Sequence, residues 1–572
     1  MRAETNNFEF IRDNKTRVIV PFFQRPYVWK KDHWKQLLSD LKDSFKENRS
    51  IFLGFIILKE NDKKIYSIID GQQRLTTCSI LIKILYDFLE QEQRDELDLR
   101  NYLFDKTNIK INHSKLDKKK YEKIITGEII DIKEEKGIFG CFNYFKSEVE
   151  RLKKEINLYE FAKFITKEEN KLWVIIYLDE NEDEQKIFDS INSKGQRLSS
   201  TDIIKNALFD KIIKITNENK AMEYYQDYWN NVFDKDEATQ EFWNKEVETG
   251  RIKRSRSEIL LHSYATINGI FKSEHSLSHL SSLYKEHIKN LDENKLKQIL
   301  KELKDYSEIY RDFPDINKET TFKYEKYELR FFHIISVYNI NTILPLVLFL
   351  KNLLNQKKSI YKECLYLLEA LIVCNILCNV SSKDYNKFFP QIIEKIKGKQ
   401  DNDVIDSIKE AICEKYKDKE SFDKDKIKSK LKCIKNNKKA TLILFWIELY
   451  KREQKKDYKD DTSSLEYNYT LEHLLPQSWE THWSDIIQDE EEAKEFIYQI
   501  GNMTLLKGKL NSTLQNNSWN NKLIRIDGKV NTDLLINKEL EDKLWTKTEI
   551  EKRTSKFIDD FFKIWNVDLF EI

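Results

Sequence analysis

The stretch IYSIIDGQQRLTT (residues 65–77) contains the sharpest change of pattern in the chain. An apolar run ends in Asp70-Gly71, and apolar residues then recur at helical spacing from Leu75 to Leu89. The pattern predicts a strand, a tight turn and a helix whose first backbone N–H groups lie at the turn. A helix start of this kind favours an anion, because the helix dipole is positive there.

The side chains of the turn suit a phosphate group, although the usual phosphate loop is absent. Gly71 lets the backbone approach a ligand closely, and Arg74 can form a fork to phosphate oxygens. Gln72 and Gln73 can donate hydrogen bonds without adding charge, whereas Asp70 suits Mg²⁺, a water molecule or a role in pinning the turn. The chain contains no GxxxxGK[ST] motif, which excludes a Walker-type loop. The stretch alone leaves a purely structural turn open.

The surrounding sequence predicts three domains. Residues 1–215 have β-like runs at 52–58, 65–70 and 172–178, the first two forming a hairpin across KENDKK, and a helix opening at Ser199, Ser200 or Thr201. Residues 216–450 have helical patterns almost throughout, and the charged segment 450–464 is the best candidate linker to a domain at 451–572. The fold class we expect is α+β, multidomain and mostly helical.

The charges nearly cancel, so nucleic-acid contact would depend on local patches. Lys and Arg number 98 against 97 Asp and Glu, giving a net charge of +1. The run GRIKRSRSE (250–258) predicts either phosphate contact or a solvated helix start, and its basic residues are Arg251, Lys253, Arg254 and Arg256.

Cysteine usage and hydropathy predict a cytoplasmic protein with no membrane partner. The seven cysteines include no CxxC pair, and Cys374 and Cys378 lie in an apolar helical run that predicts core thiols. No apolar run approaches the ~18 residues needed to span a bilayer. The first ten residues, MRAETNNFEF, lack the apolar core of a signal peptide.

A group of residues near the C-terminal end suits phosphodiester hydrolysis. Glu472-His473 follows a β-like run in LEHLLPQ, Asn502 lies in IGNMTLL, and Asn511 opens the next helix-like segment. Hydrolysis needs a base to activate water, for which His473 is suited, and a hard cation to neutralise charge. Glu472 and Asn511 offer oxygen ligands for Mg²⁺ or Mn²⁺, and Asn502 can hold the base by a hydrogen bond.

The order strand–His, strand–Asn, helix–Asn resembles the ββα pattern of HNH, or His-Me finger, nucleases, in particular the GmrSD-type C-terminal domain. Asn511 stands where the letter pattern has a second histidine, which puts metal affinity in question.

Two further stretches, PFFQRPYVWK (21–30) and FDSINSKGQRLSSTDIIKN (188–206), flank the turn in sequence. Together the three resemble the GmrSD-type N-terminal domain, whose core is like ParB and sulfiredoxin. The resemblance implies a nucleoside triphosphate site, with GTP favoured, formed by Gln24, Arg25, Asp70, Gly71, Gln72, Gln73 and Arg74, with Asn192 and Asp202 as weaker candidates. Asp70 and Arg74 would take part in hydrolysis of the nucleoside triphosphate at that site. Tyr27 and Trp29 are either core aromatics or walls of a pocket for a modified base.

The two resemblances together imply a modification-dependent, type IV restriction endonuclease that cuts modified double-stranded DNA in defence against phage. The NTP site would regulate the nuclease, and the resemblance leaves room for a homodimer. Two other functions stay open: an NTP-switched DNA-binding protein with a non-catalytic HNH fold, and an RNA-directed nuclease. The sequence does not select among glucosylated hydroxymethylcytosine, methylcytosine and a phosphorothioate backbone, nor does it say which NTP is used.

Overall fold

The computed structural model divides the chain into two compact units. The first consists of Met1–Asp227 with Tyr284–Lys297, and the second of Tyr228–Leu283 with Gln298–Ile572. The structure describes residues 2–13, 16–24, 26–49, 51–113, 115–128, 134–166, 170–178, 199–249, 252–416, 423–455, 464–507, 518–519, 522, 534–540 and 544–570.

A mixed six-stranded sheet organises the first unit, with the strand order β1-β8-β3-β4-β2-β7. Strands β3 and β4 form an antiparallel hairpin, β2 lies parallel to β4 and β7, and β3 lies parallel to β8. The strands of this unit, including a separate β5–β6 pair, are β1 (Arg2–Asn6), β2 (Arg17–Ile19), β3 (Gly54–Asp62), β4 (Ile65–Asp70), β5 (Phe104–Asp105), β6 (Asn108–Ile109), β7 (Ile111–Asn112) and β8 (Trp173–Leu178).

Helices make up most of the rest of this unit, and the helix that follows β4 is buried along most of its length. They are α1 (Glu9–Arg12), α2 (Lys31–Lys46), α3 (Gln72–Phe88), α4 (Gln91–Glu96), α5 (Arg100–Leu103), α6 (Lys115–Thr126), α7 (Gly137–Leu152), α8 (Leu158–Thr166), α9 (Ser200–Ile215) and α10 (Glu218–Tyr224). A π-helix, Tyr225–Asp234, follows.

The predicted hairpin and helix are confirmed, with two differences in detail. The polar residues between the apolar runs extend β3 to Asp62, so that only Lys63 and Lys64 form the turn, with Lys64 at a φ of 63°. Helix α3 buries Ile80 and Ile84 as well as the predicted face, and it also buries polar residues such as Thr76 and Ser79, so it is a core helix covered on all sides.

The remaining elements are predominantly helical, as predicted for the middle of the chain. They are α11 (Glu237–Asn244), β9 (Glu246–Thr249), β10 (Ile252–Ser255), α12 (Arg256–Ile267), α13 (Leu280–Ile288), α14 (Glu293–Arg311), β11 (Thr321–Phe322), α15 (Tyr327–Val337), α16 (Leu344–Leu353), α17 (Lys358–Leu377), α18 (Tyr385–Ile396), α19 (Asn402–Tyr416), α20 (Lys424–Leu431), α21 (Asn437–Gln454), β12 (Leu465–Glu466), β13 (Tyr469–His473), α22 (Glu490–Ile497), β14 (Met503–Lys507), α23 (Leu535–Lys538) and α24 (Lys547–Ile564).

A buried ion pair ties the C-terminal end to the helices of the second unit. The Arg330 guanidinium on α15 lies 2.8 Å from a Glu369 carboxylate oxygen on α17, and the Trp565 indole N–H donates to the same oxygen at 2.8 Å. These bonds satisfy a carboxylate that is almost fully buried, which would otherwise be costly.

The α+β, mostly helical fold class is confirmed, and the division into three domains stays a prediction. Cys374 and Cys378 are buried free thiols, as expected. Helix α21 extends to Gln454, while residues 456–463 of the predicted linker lie outside the described residues. Within the described part of the chain, no helix has the length and apolar character needed to cross a bilayer.

Candidate functional sites

The turn between β4 and α3 requires glycine at Gly71. This residue has a φ of 94°, which L side chains rarely adopt. A Cβ atom there would also lie 3.0 Å from the Phe55 carbonyl oxygen and 3.1 Å from the Ile56 side chain on β3. The turn is therefore pressed against the neighbouring strand, with Asp70 paired opposite Ile57 at its edge.

Two glutamine side chains fasten the 21–30 loop to this turn. The Gln24 amide donates to the Ile68 carbonyl on β4 at 2.7 Å. The Gln73 amide accepts from the Val28 backbone N–H at 2.8 Å and donates to the Pro26 carbonyl at 3.2 Å. The structure thus brings two of the three predicted stretches together. Both glutamine side chains are buried, and these three hydrogen bonds all join them to protein backbone.

Arg74 lies at the rim of the turn and is only partly buried. One guanidinium nitrogen donates to the Phe55 carbonyl at 2.7 Å. The group lies directly over Gly54, where an added Cβ would come within 3.1 Å of it. This contact orients the fork, and an arginine has further N–H donors for an anion.

The N-terminal end of α3 has the polarity expected for anion binding. No side chain from the described residues caps the helix, and its first residues are Gln72, Gln73 and Arg74. The backbone N–H groups of this first turn carry the positive end of the helix dipole. Gln72 is buried beside them.

The two aromatic residues of the 21–30 loop differ in exposure. Tyr27 is buried, with its hydroxyl 2.5 Å from the Thr77 hydroxyl and accepting from the Trp34 indole at 2.9 Å. Burial raises the pKa of Tyr27 well above its usual value. Trp29 is half-buried and stacks on His33 with ring centroids 5.5 Å apart. Tyr27 is therefore a core residue in this structure, and Trp29 alone keeps an accessible ring.

The third predicted stretch lies mostly outside the described residues, and so do Arg25 and Asn192. Asp202 is described, and it forms a capping box at the start of α9. Its carboxylate accepts from the Ser199 hydroxyl at 2.8 Å, while its backbone N–H donates back to that hydroxyl oxygen at 3.1 Å. The structure thus gives Asp202 a role in starting a helix.

The predicted nuclease residues lie on a second antiparallel strand pair. Strand β13 pairs with β14 so that Glu472 lies opposite Thr504 and His473 opposite Met503. The helix predicted to open at Asn511 lies outside the described residues. Farther along the chain, the buried Arg553 of α24 donates to the carbonyls of Gly501 and Met503 at 2.6 and 2.9 Å, anchoring the start of β14.

Asn502 does not contact the His473 imidazole, which corrects the sequence prediction. Its amide oxygen accepts from the Leu475 N–H at 2.8 Å and from the Trp545 indole at 3.0 Å. Its amide nitrogen donates to the carbonyls of Leu475 at 2.9 Å and Ile497 at 3.0 Å. All four bonding positions of the amide are used, so Asn502 positions the chain just after His473.

A buried lysine that sequence reasoning missed occupies the centre of this site. The Lys522 ammonium lies 2.7 Å from a Glu472 carboxylate oxygen and 2.7 Å from the His473 carbonyl oxygen. Burial raises the pKa of Glu472 and lowers the pKa of Lys522, and their mutual attraction opposes both shifts. No spacing signal could have found this residue, because 50 positions separate the two partners.

The His473 imidazole is neutral at physiological pH. Burial, and secondarily the Lys522 charge, lower the pKa of His473 to about 4. Its Nε2 atom is buried and has no hydrogen-bond partner within the described part of the chain. A neutral imidazole with an unengaged nitrogen is the form that can accept a proton.

The predicted divalent metal does not fit the described residues while Lys522 is in place. Glu472 and the His473 carbonyl supply the oxygen donors that a hard cation prefers, but both point at the ammonium. No cluster of three or more His, Cys, Asp or Glu residues suited to a metal occurs in the described ranges, and the other predicted ligand, Asn511, lies outside them.

The basic run 250–258 is divided between structure and surface. Arg254 on β10 and Arg256 at the start of α12 are buried, and they pair with Glu258 at 3.0 Å and Asp315 at 2.8 Å. Lys253 is exposed, and Arg251 lies outside the described residues. Because both side chains are buried, contact of Arg254 or Arg256 with phosphate would require them to move out of the protein interior.

Two family models match the chain, one at each end. The model of the GmrSD restriction endonuclease N-terminal domain matches residues 8–209, and that of the C-terminal domain matches residues 417–560. The matched ranges include both sites described above. The chain belongs to the GmrSD-type restriction endonucleases, whose substrate is DNA. No curated protein matches its sequence.

Proposed function

We propose that the chain is a modification-dependent DNA endonuclease in which His473 is the general base and a nucleoside triphosphate bound at the β4–α3 turn regulates cleavage. The observation that carries the nuclease proposal is the geometry at the end of β13. There the His473 Nε2 atom is free to accept a proton within the described residues, beside the buried Glu472 carboxylate.

In this proposal His473 removes a proton from the attacking water, whose oxygen forms a bond to the phosphorus. The P–O bond to one sugar oxygen breaks, and that leaving oxygen takes up a proton from solvent. Asn502 acts indirectly, because its two bonds to the Leu475 backbone hold the chain that follows His473. Mg²⁺ or Mn²⁺ stays the cofactor that we propose. Glu472 and Asn511 would hold it once Lys522 no longer occupies Glu472, and the ion would neutralise negative charge on the phosphate.

The nucleotide proposal is supported by the glutamine contacts that join the 21–30 loop to the turn. The same turn carries Arg74, which is oriented by the Phe55 carbonyl, and the first N–H groups of α3, where triphosphate oxygens can be bound. Asp70 would hold a metal or water beside the phosphates, and GTP is the favoured nucleotide. Dimerisation and a cytoplasmic location stay predictions.

The nuclease proposal is tested with His473→Ala and the matched control His482→Ala, which changes an exposed histidine of the same segment. Wild type and His482→Ala are expected to cut DNA with Mg²⁺, and His473→Ala to lose at least about 100-fold in rate, the usual size of a general-base contribution. Undiminished cleavage by His473→Ala would remove it from the mechanism.

Substrate choice is tested with a cleavage panel. Plain DNA, glucosylated hydroxymethylcytosine DNA, methylcytosine DNA and phosphorothioate DNA are each incubated with and without each NTP, and RNA serves as a further substrate. We expect cleavage of one modified DNA that depends on one NTP. Equal cutting of plain and modified DNA would contradict modification dependence, and preferential cutting of RNA would contradict the DNA proposal.

A further inference from the structure

The Lys522 ammonium is held by two oxygen atoms of the nuclease site. It lies 2.7 Å from a Glu472 carboxylate oxygen and 2.7 Å from the His473 carbonyl, and its side chain is fully buried. An ammonium group removed from water is strongly destabilised unless it is paired and hydrogen-bonded. These two contacts therefore explain how a charged lysine can be buried at this position.

The same two oxygens have the chemistry of ligands for a hard divalent cation. Carboxylate and backbone carbonyl oxygens are the groups that Mg²⁺ and Mn²⁺ prefer. One carboxylate oxygen cannot contact an ammonium and a divalent ion at the same position, and two cations in one buried site repel each other. Lys522 therefore occupies the position that a divalent ion bound to both of these oxygens would take.

We propose that Lys522 is a built-in cation that holds the nuclease site in a resting state and must leave Glu472 before a divalent metal binds there. This inference rests on the proposed function, since it takes Glu472 as a metal ligand. It adds a regulatory step, because any change that draws Lys522 away would raise the metal affinity. No covalent bond changes in the exchange, in which one cation replaces another.

The test measures Mn²⁺ binding to the full chain by calorimetry, with no DNA or nucleotide added. The variants are Lys522→Met, which removes the charge, and Lys522→Gln, which keeps a hydrogen-bond donor should the methionine variant fail to fold. Lys494→Met is the matched control, because Lys494 is an exposed lysine of the same unit that pairs with Glu490 at 2.7 Å.

We expect Lys522→Met and Lys522→Gln to bind Mn²⁺ about tenfold or more tightly than wild type, since a buried like charge beside the site is removed. Adding Glu472→Gln to either variant should abolish the gain, and Lys494→Met should bind as wild type does. Unchanged, weaker or undetectable binding in a folded Lys522 variant would overturn the proposal. DNA cleavage does not enter this readout, so failure of the nuclease proposal is detected separately by the His473→Ala assay.

Discussion

Gly71 is the residue on which the β4–α3 turn depends, and two separate effects act there. Its φ of 94° is unfavourable for any residue with a side chain, and a Cβ would press on the Phe55 carbonyl. Gly137 in the same unit has a φ of 63°, but a Cβ there would meet nothing within 4 Å. The pair therefore separates backbone strain from crowding.

We expect Gly71→Ala to lower the free energy of unfolding by about 2–3 kcal/mol and Gly137→Ala by about 1 kcal/mol. The first variant carries both costs and the second only the backbone cost. Denaturant unfolding followed by circular dichroism measures both. Equal losses in the two variants would mean that the close approach of β3 to the turn contributes nothing.

The sequence identified Asn502 as a functional residue, but the structure gives it different partners from the one predicted. Its position in IGNMTLL indicated a partner for the catalytic base, whereas its four bonds go to Leu475, Ile497 and Trp545. Motif patterns report which residue type stands at a position, but the partner of a buried amide is decided by tertiary packing.

Asn502→Ala should therefore destabilise the protein by about 3 kcal/mol, because it leaves buried backbone and indole groups without partners. Thermal unfolding compares it with Asn468→Ala, in which an exposed asparagine that donates to the nearby Glu466 carboxylate is removed. If Asn502→Ala kept wild-type stability while losing cleavage, a direct role in the chemistry would replace the structural one.

At the scale of elements, the local features could be predicted and the pairing of distant strands could not. The β3–β4 hairpin, helix α3 and the Ser199 cap follow from residues adjacent in sequence. Strands β2 and β7 have only three and two residues, and they pair with partners far along the chain. Strands this short are too brief to show an alternating hydrophobic pattern. The strand order of the six-stranded sheet therefore could not be predicted from the sequence.

Among the contacts between elements, those that join the 21–30 loop to α3 most affect the proposed nucleotide site. Gln73→Ala removes the acceptor of the Val28 N–H. We expect that amide to exchange its hydrogen about fivefold faster, since one hydrogen bond contributes roughly 1 kcal/mol. Hydrogen exchange with mass spectrometry measures it, and NTP binding should weaken in parallel.

Gln36→Ala is the control for this prediction, because Gln36 is an exposed glutamine of the same unit whose amide donates to Asp40 on the same helix. Its substitution should leave both exchange at residue 28 and NTP binding unchanged. Faster exchange without weaker NTP binding in Gln73→Ala would separate the loop from the nucleotide site.

For the whole molecule, the central question is whether ligand binding at the proposed nucleotide site is energetically coupled to DNA binding at the nuclease site. If NTP binding regulates cleavage, the ligands of the two sites must alter each other's affinity by the same factor, typically about 5–150-fold. His473→Ala lets this be measured without cutting DNA. The NTP dissociation constant is determined with and without modified DNA, and the DNA dissociation constant with and without NTP.

We expect the two ratios to be equal and to exceed about fivefold. Arg74→Ala in the same background should bring both ratios to one, because the guanidinium that we propose binds the phosphates is lost. Arg151→Ala, which removes an exposed arginine of the same unit paired with Glu148, should leave them unchanged. Mn²⁺ binding near Glu472 should survive Arg74→Ala, since that variant alters only the nucleotide site. Ratios of one in the His473→Ala protein itself would mean that the nucleotide site and the nuclease act independently, and regulation by NTP would have to be abandoned.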